Sequence, residues 1–106
     1  MEGKIILAEL PQADGQTKIR PALVLRMMPP FNDYLVCGIS SQLHQTVQGF
    51  DEVLRPSAQN GLRVISVVRL GFLLVLPTQR IKGVLGEIND SLRRQMIERL
   101  TDYLIA

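Results

Sequence analysis

Short apolar segments, separated by turn-forming residues, occupy the chain before Asn89. They are rich in Ile, Val and Leu, the residue types that favour strands. The predicted strands cover residues 4–10, 19–27, 34–40, 50–54, 62–70, 72–76 and 82–87. Two of the breaks contain Asp14-Gly15 and Asn60-Gly61, which tolerate positive φ and let the chain reverse. The pattern therefore predicts a sheet of short strands joined by turns.

Two of these segments are apolar at almost every position rather than at every second one. They are ALVL at residues 22–25 and VISVV at residues 64–68. A strand that faces solvent on one side alternates apolar and polar residues, whereas one covered on both faces does not. The pattern thus indicates burial on both faces or a tightly curled barrel, which a small closed sheet would supply.

The end of the chain has a different period. Leu92, Met96, Leu100 and Leu104 recur every fourth residue, and Asn89 or Asp90 can cap a helix that begins there. Such a helix has about four turns. Most of its charged residues fall outside the apolar face; they are Arg93, Arg94, Glu98, Arg99 and Asp102. The predicted fold class is mainly β with a C-terminal α-helix that packs across a small barrel.

Composition limits what the chain can be. It has 106 residues, 46% of them hydrophobic, and 12 Lys+Arg against 10 Asp+Glu. This balance excludes intrinsic disorder and predicts one domain over residues 1–106. Cys37 is the one cysteine, so an internal disulfide is excluded, and no Cys/His cluster suggests a metal or other cofactor. With no export signal or membrane-spanning segment visible, we expect a cytoplasmic protein that does not enter a membrane.

Positive charge concentrates in two regions. The net charge is +2 over residues 11–30 and +3 over residues 61–80, where the charges are Arg63, Arg69 and Arg80. Arg20 and Arg69 each lie beside a long apolar stretch, and an arginine there is costly unless its guanidinium reaches a partner or an anion-binding cleft. An ion pair across neighbouring strands or a guanidinium extended into solvent would explain them equally well.

Three separated motifs resemble those of the MazF/PemK family of bacterial toxins. They are RPALVL at residues 20–25, CGISSQ at 37–42 and SVVRLG at 66–71, and their order and spacing also match. The opening GKIILAELP, the closing LGEI and the terminal helix extend the resemblance over essentially the whole chain. The resemblance implies an SH3-like curled β-barrel with a C-terminal helix, a homodimer, and a cognate antitoxin as partner.

The activity implied by this resemblance is metal-independent, sequence-specific cleavage of single-stranded RNA. In that reaction the 2′-hydroxyl of the substrate attacks the adjacent phosphorus, which leaves a cyclic phosphate and a free 5′-hydroxyl. Two alternatives stay open at the level of sequence. One is a catalytically silent relative that binds RNA or antitoxin, and the other is a topoisomerase poison of the CcdB type on a similar fold.

The resemblance also implies catalytic residues. Arg20 stands at the family's catalytic arginine, whose fixed charged fork suits a phosphate. Ser40 stands where relatives carry a hydroxyl that can bond the scissile phosphate or the 2′-oxygen; the alternative is a bond to its own backbone. Arg69 matches an arginine that some relatives use. Two residues further on, where part of the family has an acid, this chain has Gly71, so the general base is not identified.

Other polar residues are candidates for proton transfer or RNA contact. Asp14 lies in the first long loop, which borders the family's active site, although it can equally complete the Asp-Gly turn. His44 is a second candidate because histidine ordinarily titrates near neutrality; a solvated loop histidine is the alternative. Lys18 would attract RNA or simply lie on the surface. Ser41 and Gln42 are expected at the RNA interface, where Gln42 would read a base edge or hold the loop.

Aromatic residues are few. The chain has no tryptophan, and its aromatic side chains are Phe31, Tyr34, Phe50, Phe72 and Tyr103. Since nucleobases stack on aromatic rings, the sequence predicts RNA recognition that depends on phosphate contacts and hydrogen bonds more than on stacking.

Overall fold

The structure, a computed structural model, describes all 106 residues as six strands followed by one helix. The elements are β1 (Lys4–Pro11), β2 (Thr17–Met28), β3 (Asp33–Ser40), β4 (Glu52–Leu54), β5 (Ser66–Leu76), β6 (Ile81–Glu87) and α1 (Asp90–Ile105). Two single 3₁₀ turns lie at Leu43–Gln45 and Thr78–Arg80. The strands form one curled sheet in the order β4-β5-β3-β2-β1-β6, with antiparallel pairing throughout. The predicted fold class is confirmed.

Both faces of the central strand β2 are buried, as the ALVL pattern predicts. Residues 22–25 are all at most 1% exposed. Alternation sends Leu23 and Leu25 to a core cluster that α1 covers through Met96 and Leu100. Ala22 and Val24 point to the opposite face, into a second cluster whose other members come from β1, β3 and β5. The curl of the sheet is what allows so short a chain to cover both faces.

One strand prediction is wrong. Residues 62–70 and 72–76 were expected as separate strands, but β5 runs without a break through Gly71, and residues 62–65 form a loop. On the neighbouring β3, Cys37 pairs with Leu73 and Ile39 pairs with Val68. Between these two pairs, Gly38 of β3 alone faces four residues of β5, so residues 69–72 bulge out of the regular ladder. A bulge absorbs the irregularity that the sequence suggested was a turn.

The helix α1 begins as predicted and buries Met96 and Leu100 of the predicted apolar face, but it leaves Leu104 exposed and buries Arg93. Asn89 is the cap, and its side-chain oxygen accepts a hydrogen bond from the Leu92 N–H at 2.8 Å. Leu104 is 68% exposed, whereas Arg93 is only 7% exposed. Arg93 can be buried because its guanidinium donates to the Leu25 carbonyl at 3.0 Å and to Asp90 at 2.8 Å. No helix of the structure has the length and apolar character that crossing a membrane requires.

The loop that follows β4 passes directly over β6, at the other edge of the sheet. Gly61 has a φ of +69°, and a Cβ at this position would collide with the Leu85 carbonyl. A Cβ at Gly86 would collide in turn with the backbone of Gln59 and Asn60. Glycine at both positions is therefore required for the two backbones to approach each other, and this approach closes the curled sheet.

Asn60 holds this loop in shape. The residue is 6% exposed, and its side-chain oxygen accepts hydrogen bonds from the N–H groups of Ser57 and Leu62, both at 3.0 Å. Its side-chain amide donates to the Arg55 carbonyl at 2.8 Å. Because a buried amide that is fully bonded has one favourable orientation, Asn60 sets the path of residues 55–62.

Two glycines of β6 provide a test of this closure. We expect Gly86→Ala to lower the free energy of unfolding by about 1–3 kcal/mol, because the new methyl group forces the loop away from β6. Gly83→Ala is the matched control: a Cβ there meets nothing within 4 Å, and we expect a change below about 0.5 kcal/mol. Urea denaturation of both variants measures the difference, and equal stability of the two would contradict the steric argument.

Candidate functional site

A groove of about 810 Å³ crosses one side of the sheet. Its walls come from β1, β2, β3, β5, β6 and the loops at residues 12–13, 41–45 and 61–64. Only three of the residues that line it carry charge, and all three are arginines: Arg20, Arg63 and Arg69. The groove thus has the electrostatic character of an anion-binding site.

Strand pairing explains why Arg20 and Ser40 face the same groove. Ala22 of β2 pairs with Gly38 of β3 in antiparallel register. Continuing that register by two residues brings Arg20 level with Ser40, and the two-residue period of a strand keeps both on the side of Ala22 and Gly38. The short motifs that carry these two residues are therefore brought together by ordinary sheet geometry.

The positive charge of the groove is not compensated by carboxylates. None of the six ion pairs in the structure includes Arg20, Arg63 or Arg69. The Arg69 guanidinium carbon lies 6.0 Å from the centre of the Phe72 ring, and no protein acceptor binds the group. The cross-strand ion pair that could have explained Arg20 and Arg69 is thus not formed, and the arginines are free to bind an external anion.

Ser40 already makes a local hydrogen bond. Its Oγ accepts from the backbone N–H of Gln42 at 3.0 Å, the backbone contact that was the alternative explanation for this residue. A hydroxyl that accepts still has its own proton to donate, so Ser40 retains a donor for a phosphate oxygen. Ser41 and Gln42 are exposed and also line the groove.

Three sequence-predicted residues do not line the groove: Asp14, Lys18 and His44. The Asp14 carboxylate accepts from the Gln16 N–H at 3.0 Å and so completes the turn at Gly15. His44 is exposed in the first 3₁₀ turn, and Lys18 is exposed on β2, two residues before Arg20. The groove therefore contains neither a carboxylate nor an imidazole.

Sequence reasoning did not single out Arg63 or Phe72 as site residues. Arg63 lies in the loop that was expected to be a strand, and Phe72 lies in the bulge of β5. The signal for Arg63 was the net charge of +3 over residues 61–80, which counted it without locating it. No comparable signal existed for Phe72.

Metal-binding and thiol chemistry have little support in the rest of the chain. No group of three or more His, Cys, Asp and Glu side chains lies close enough together to hold a metal ion. Burial raises the pKa of the Cys37 thiol to about 12, so this side chain stays protonated and inert at neutral pH.

Comparison with known proteins identifies a family and a similar solved structure. A family model described as PemK-like, MazF-like toxin of type II toxin-antitoxin system matches residues 1–104. The solved structure of the Mycobacterium tuberculosis toxin MazF-mt6 superposes with a TM-score of 0.70 and 24% identity, over 95% of this chain and 95% of that one. At this level of sequence identity, the superposition shows a shared fold only. No curated protein sequence matches the chain.

The charge of the groove can be measured through its response to salt. When a protein binds single-stranded nucleic acid, the logarithm of the binding constant falls with the logarithm of the salt concentration, and the slope is about 0.7 for each phosphate that the protein neutralises. Arg63→Ala should therefore reduce this slope by about 0.7. Arg80→Ala removes an exposed arginine outside the groove and should leave the slope unchanged. Fluorescence anisotropy of a labelled single-stranded DNA, titrated at several salt concentrations, reports both. An unchanged slope in Arg63→Ala would place the anion elsewhere.

Proposed function

Because the chain belongs to the PemK-like, MazF-like toxin family of type II toxin-antitoxin systems, we propose that it is a metal-independent, sequence-specific endoribonuclease. Its substrate is single-stranded RNA, in practice messenger RNA in the cytoplasm. The observation that carries this proposal is the groove itself, which Ser40 lines together with three arginines that have no carboxylate partner.

The proposed reaction is an internal displacement at phosphorus. The 2′-oxygen of one nucleotide forms a bond to the adjacent phosphorus as the bond from phosphorus to the 5′-oxygen of the next nucleotide breaks. The 2′-hydroxyl loses its proton and the departing 5′-oxygen gains one, which leaves a 2′,3′-cyclic phosphate and a 5′-hydroxyl. Negative charge grows on the phosphoryl oxygens in between, so fixed positive groups aimed at them lower the barrier.

Each groove residue has a part in this scheme. Arg20 binds the non-bridging oxygens of the scissile phosphate, and the Ser40 hydroxyl donates to the same phosphate or to the 2′-oxygen. Arg69 adds a second charge from β5. Ser41, Gln42 and Arg63 hold the strand on either side of the cut, and Lys18, which is exposed on β2 outside the groove, attracts it.

Proton transfer is the step for which the groove supplies no ordinary acid or base. No Asp, Glu, His or Lys lines it, so no ordinary general base faces the phosphate. We therefore propose that hydroxide from solvent removes the proton of the 2′-hydroxyl. A water molecule donates a proton to the departing 5′-oxygen. The protein then contributes orientation and charge stabilisation, which together supply most of the rate in phosphoryl transfer.

The same observation favours a second candidate function. A relative that has lost its base would keep the arginine groove and bind RNA or an antitoxin without cutting. The ends of the RNA fragments separate the two candidates, because a silent relative generates no cyclic-phosphate termini. A topoisomerase poison of the CcdB type has no structural feature in its favour, since it needs no phosphate-binding groove.

Partners follow from the family and from the surface. We propose a homodimer, because apolar side chains at the end of α1 are free: Tyr103, Leu104 and Ile105 are 70%, 68% and 77% exposed. A solution mass of one chain would contradict it. We propose further that the cognate antitoxin places an acidic, extended segment in the arginine groove and so competes with RNA.

Cleavage in the presence of EDTA tests the proposed nuclease. Wild type should cut a long single-stranded RNA into fragments with cyclic-phosphate ends, and Arg20→Ala should lose at least about 100-fold in rate. Arg20→Lys keeps the charge without the fork and should recover only part of the loss. Equal thermal melting of the three proteins shows that the sheet is intact. Full activity of Arg20→Ala would refute the assignment of Arg20, and no cleavage by wild type would favour the silent relative.

The pH profile tests the assignment of the proton. With hydroxide as base, the logarithm of kcat/KM should rise by about one per pH unit from about pH 6 to 9, without a plateau near neutrality. His44→Ala and Asp14→Asn should each stay within about twofold of wild type, since both residues lie outside the groove. A bell-shaped profile that disappears in one of these variants would instead identify that residue as the base.

A further inference from the structure

Phe72 is the one aromatic side chain that lines the arginine groove. The other aromatic residues are engaged elsewhere or project away. Phe50 and Tyr103 contact each other with ring centres 5.2 Å apart, Tyr34 packs against the second core cluster, and Phe31 is 82% exposed on a turn. The structure thus places an aromatic ring among phosphate-binding groups, where the sequence alone suggested little stacking.

The bulge in β5 is what brings this ring to the groove. Residues three apart on a regular strand, such as Arg69 and Phe72, point to opposite faces. The register shift between the pairs Cys37–Leu73 and Ile39–Val68 breaks that alternation, and both side chains line the same groove. The Arg69 guanidinium is thereby held over the Phe72 ring, with its carbon 6.0 Å from the ring centre.

Gly38 provides the space for the ring. A Cβ at this position would lie 3.2 Å from Cδ1 and 3.3 Å from Cγ of Phe72. The ring therefore rests against the bare backbone of β3, and any larger residue at position 38 would push it off this support. A partly exposed ring that a backbone supports, with a guanidinium 6.0 Å from its centre, can act as a stacking surface.

The position of the ring fits a nucleotide whose phosphate lies at Arg20 and Ser40. Gly38 and Ser40 are two residues apart on the same face of β3, which corresponds to about 7 Å along the strand. That separation is comparable to the distance between a phosphate and the base attached to its sugar. An RNA strand bound at Arg20 can therefore present one unpaired base to Phe72.

From these contacts we propose that Phe72 is a specificity-determining residue on which one base of the RNA stacks, beside the scissile phosphate. The Arg69 guanidinium, 6.0 Å from the ring centre, binds the phosphate next to that base. This inference rests on the proposed function for the identity of the substrate. Single-strand binding proteins combine aromatic platforms and cationic groups in this way.

A tryptophan placed at this position would report stacking directly. The chain has no tryptophan, so Phe72→Trp carries a single reporter in the groove. The probe is a mixed-sequence single-stranded DNA, which lacks the 2′-hydroxyl and cannot be cleaved by the proposed reaction. We expect binding to quench the tryptophan fluorescence of Phe72→Trp, whereas Phe31→Trp, with its reporter on an exposed turn outside the groove, should not respond.

Phe72→Leu tests the contribution of the ring to affinity. Leucine keeps apolar contact with Gly38 but has no π-face, so binding of the same DNA should weaken by between about fivefold and a hundredfold. An abasic strand of equal length presents the same phosphates without bases. Wild type and Phe72→Leu should therefore bind the abasic strand equally well.

Two results would overturn the inference. One is binding of DNA to Phe72→Trp, seen by anisotropy, without any change in fluorescence. The other is an equal loss of affinity for the normal and abasic strands in Phe72→Leu, which would show a structural role of the ring. Cleavage of RNA by wild type, measured in parallel, reports on the nuclease alone, so failure of the nuclease and failure of the stacking site give different results.

Discussion

The close approach of the Gly61 backbone to β6 is the contact on which the rest of the structure depends. It joins the loop after β4 to the strand at the opposite edge of the sheet, and it is possible only because positions 61 and 86 carry no Cβ. Asn60 holds the loop in the required path through its buried amide. The same loop then continues as one wall of the groove and places Arg63 there. Closure of the sheet and the position of this wall of the groove therefore depend on the same contact.

The groove holds three positive charges that no carboxylate of the protein neutralises, so a bound anion would be stabilised there. Elsewhere in the molecule several basic residues are paired, as Lys4 is with Glu87 and Arg99 with Glu52. In the groove no carboxylate approaches Arg20, Arg63 or Arg69, so the three charges repel one another in the free protein. In the proposed reaction, the bound phosphodiester and the charge that develops in the transition state would offset this repulsion. The same feature explains why an acidic antitoxin segment would be an effective inhibitor.

A second departure from regularity, the bulge in β5, gives the groove its chemistry beyond charge. The ladder with β3 loses its register over residues 69–72, and this stretch turns Arg69 and Phe72 to the same side. Gly71, which lies between them, has open space at its Cβ position and lies inside the bulge rather than at the end of a strand. A strand of uniform alternation would have buried one of these two side chains or turned it to the other face.

Local pattern determined much of this protein. The sequence predicted most strands, the helix with its Asn89 cap, the burial of residues 22–25 on both faces, and the family. These features depend on turn chemistry, side-chain period and short motifs, which involve near neighbours in the chain. Arg20 and Ser40 could be named for the same reason. Only the tertiary structure decided that Arg63 and Phe72 join them and that Asp14 and His44 do not. Membership of the groove depends on curvature, a register shift and a backbone crossing between residues far apart in sequence, and no local pattern encodes these.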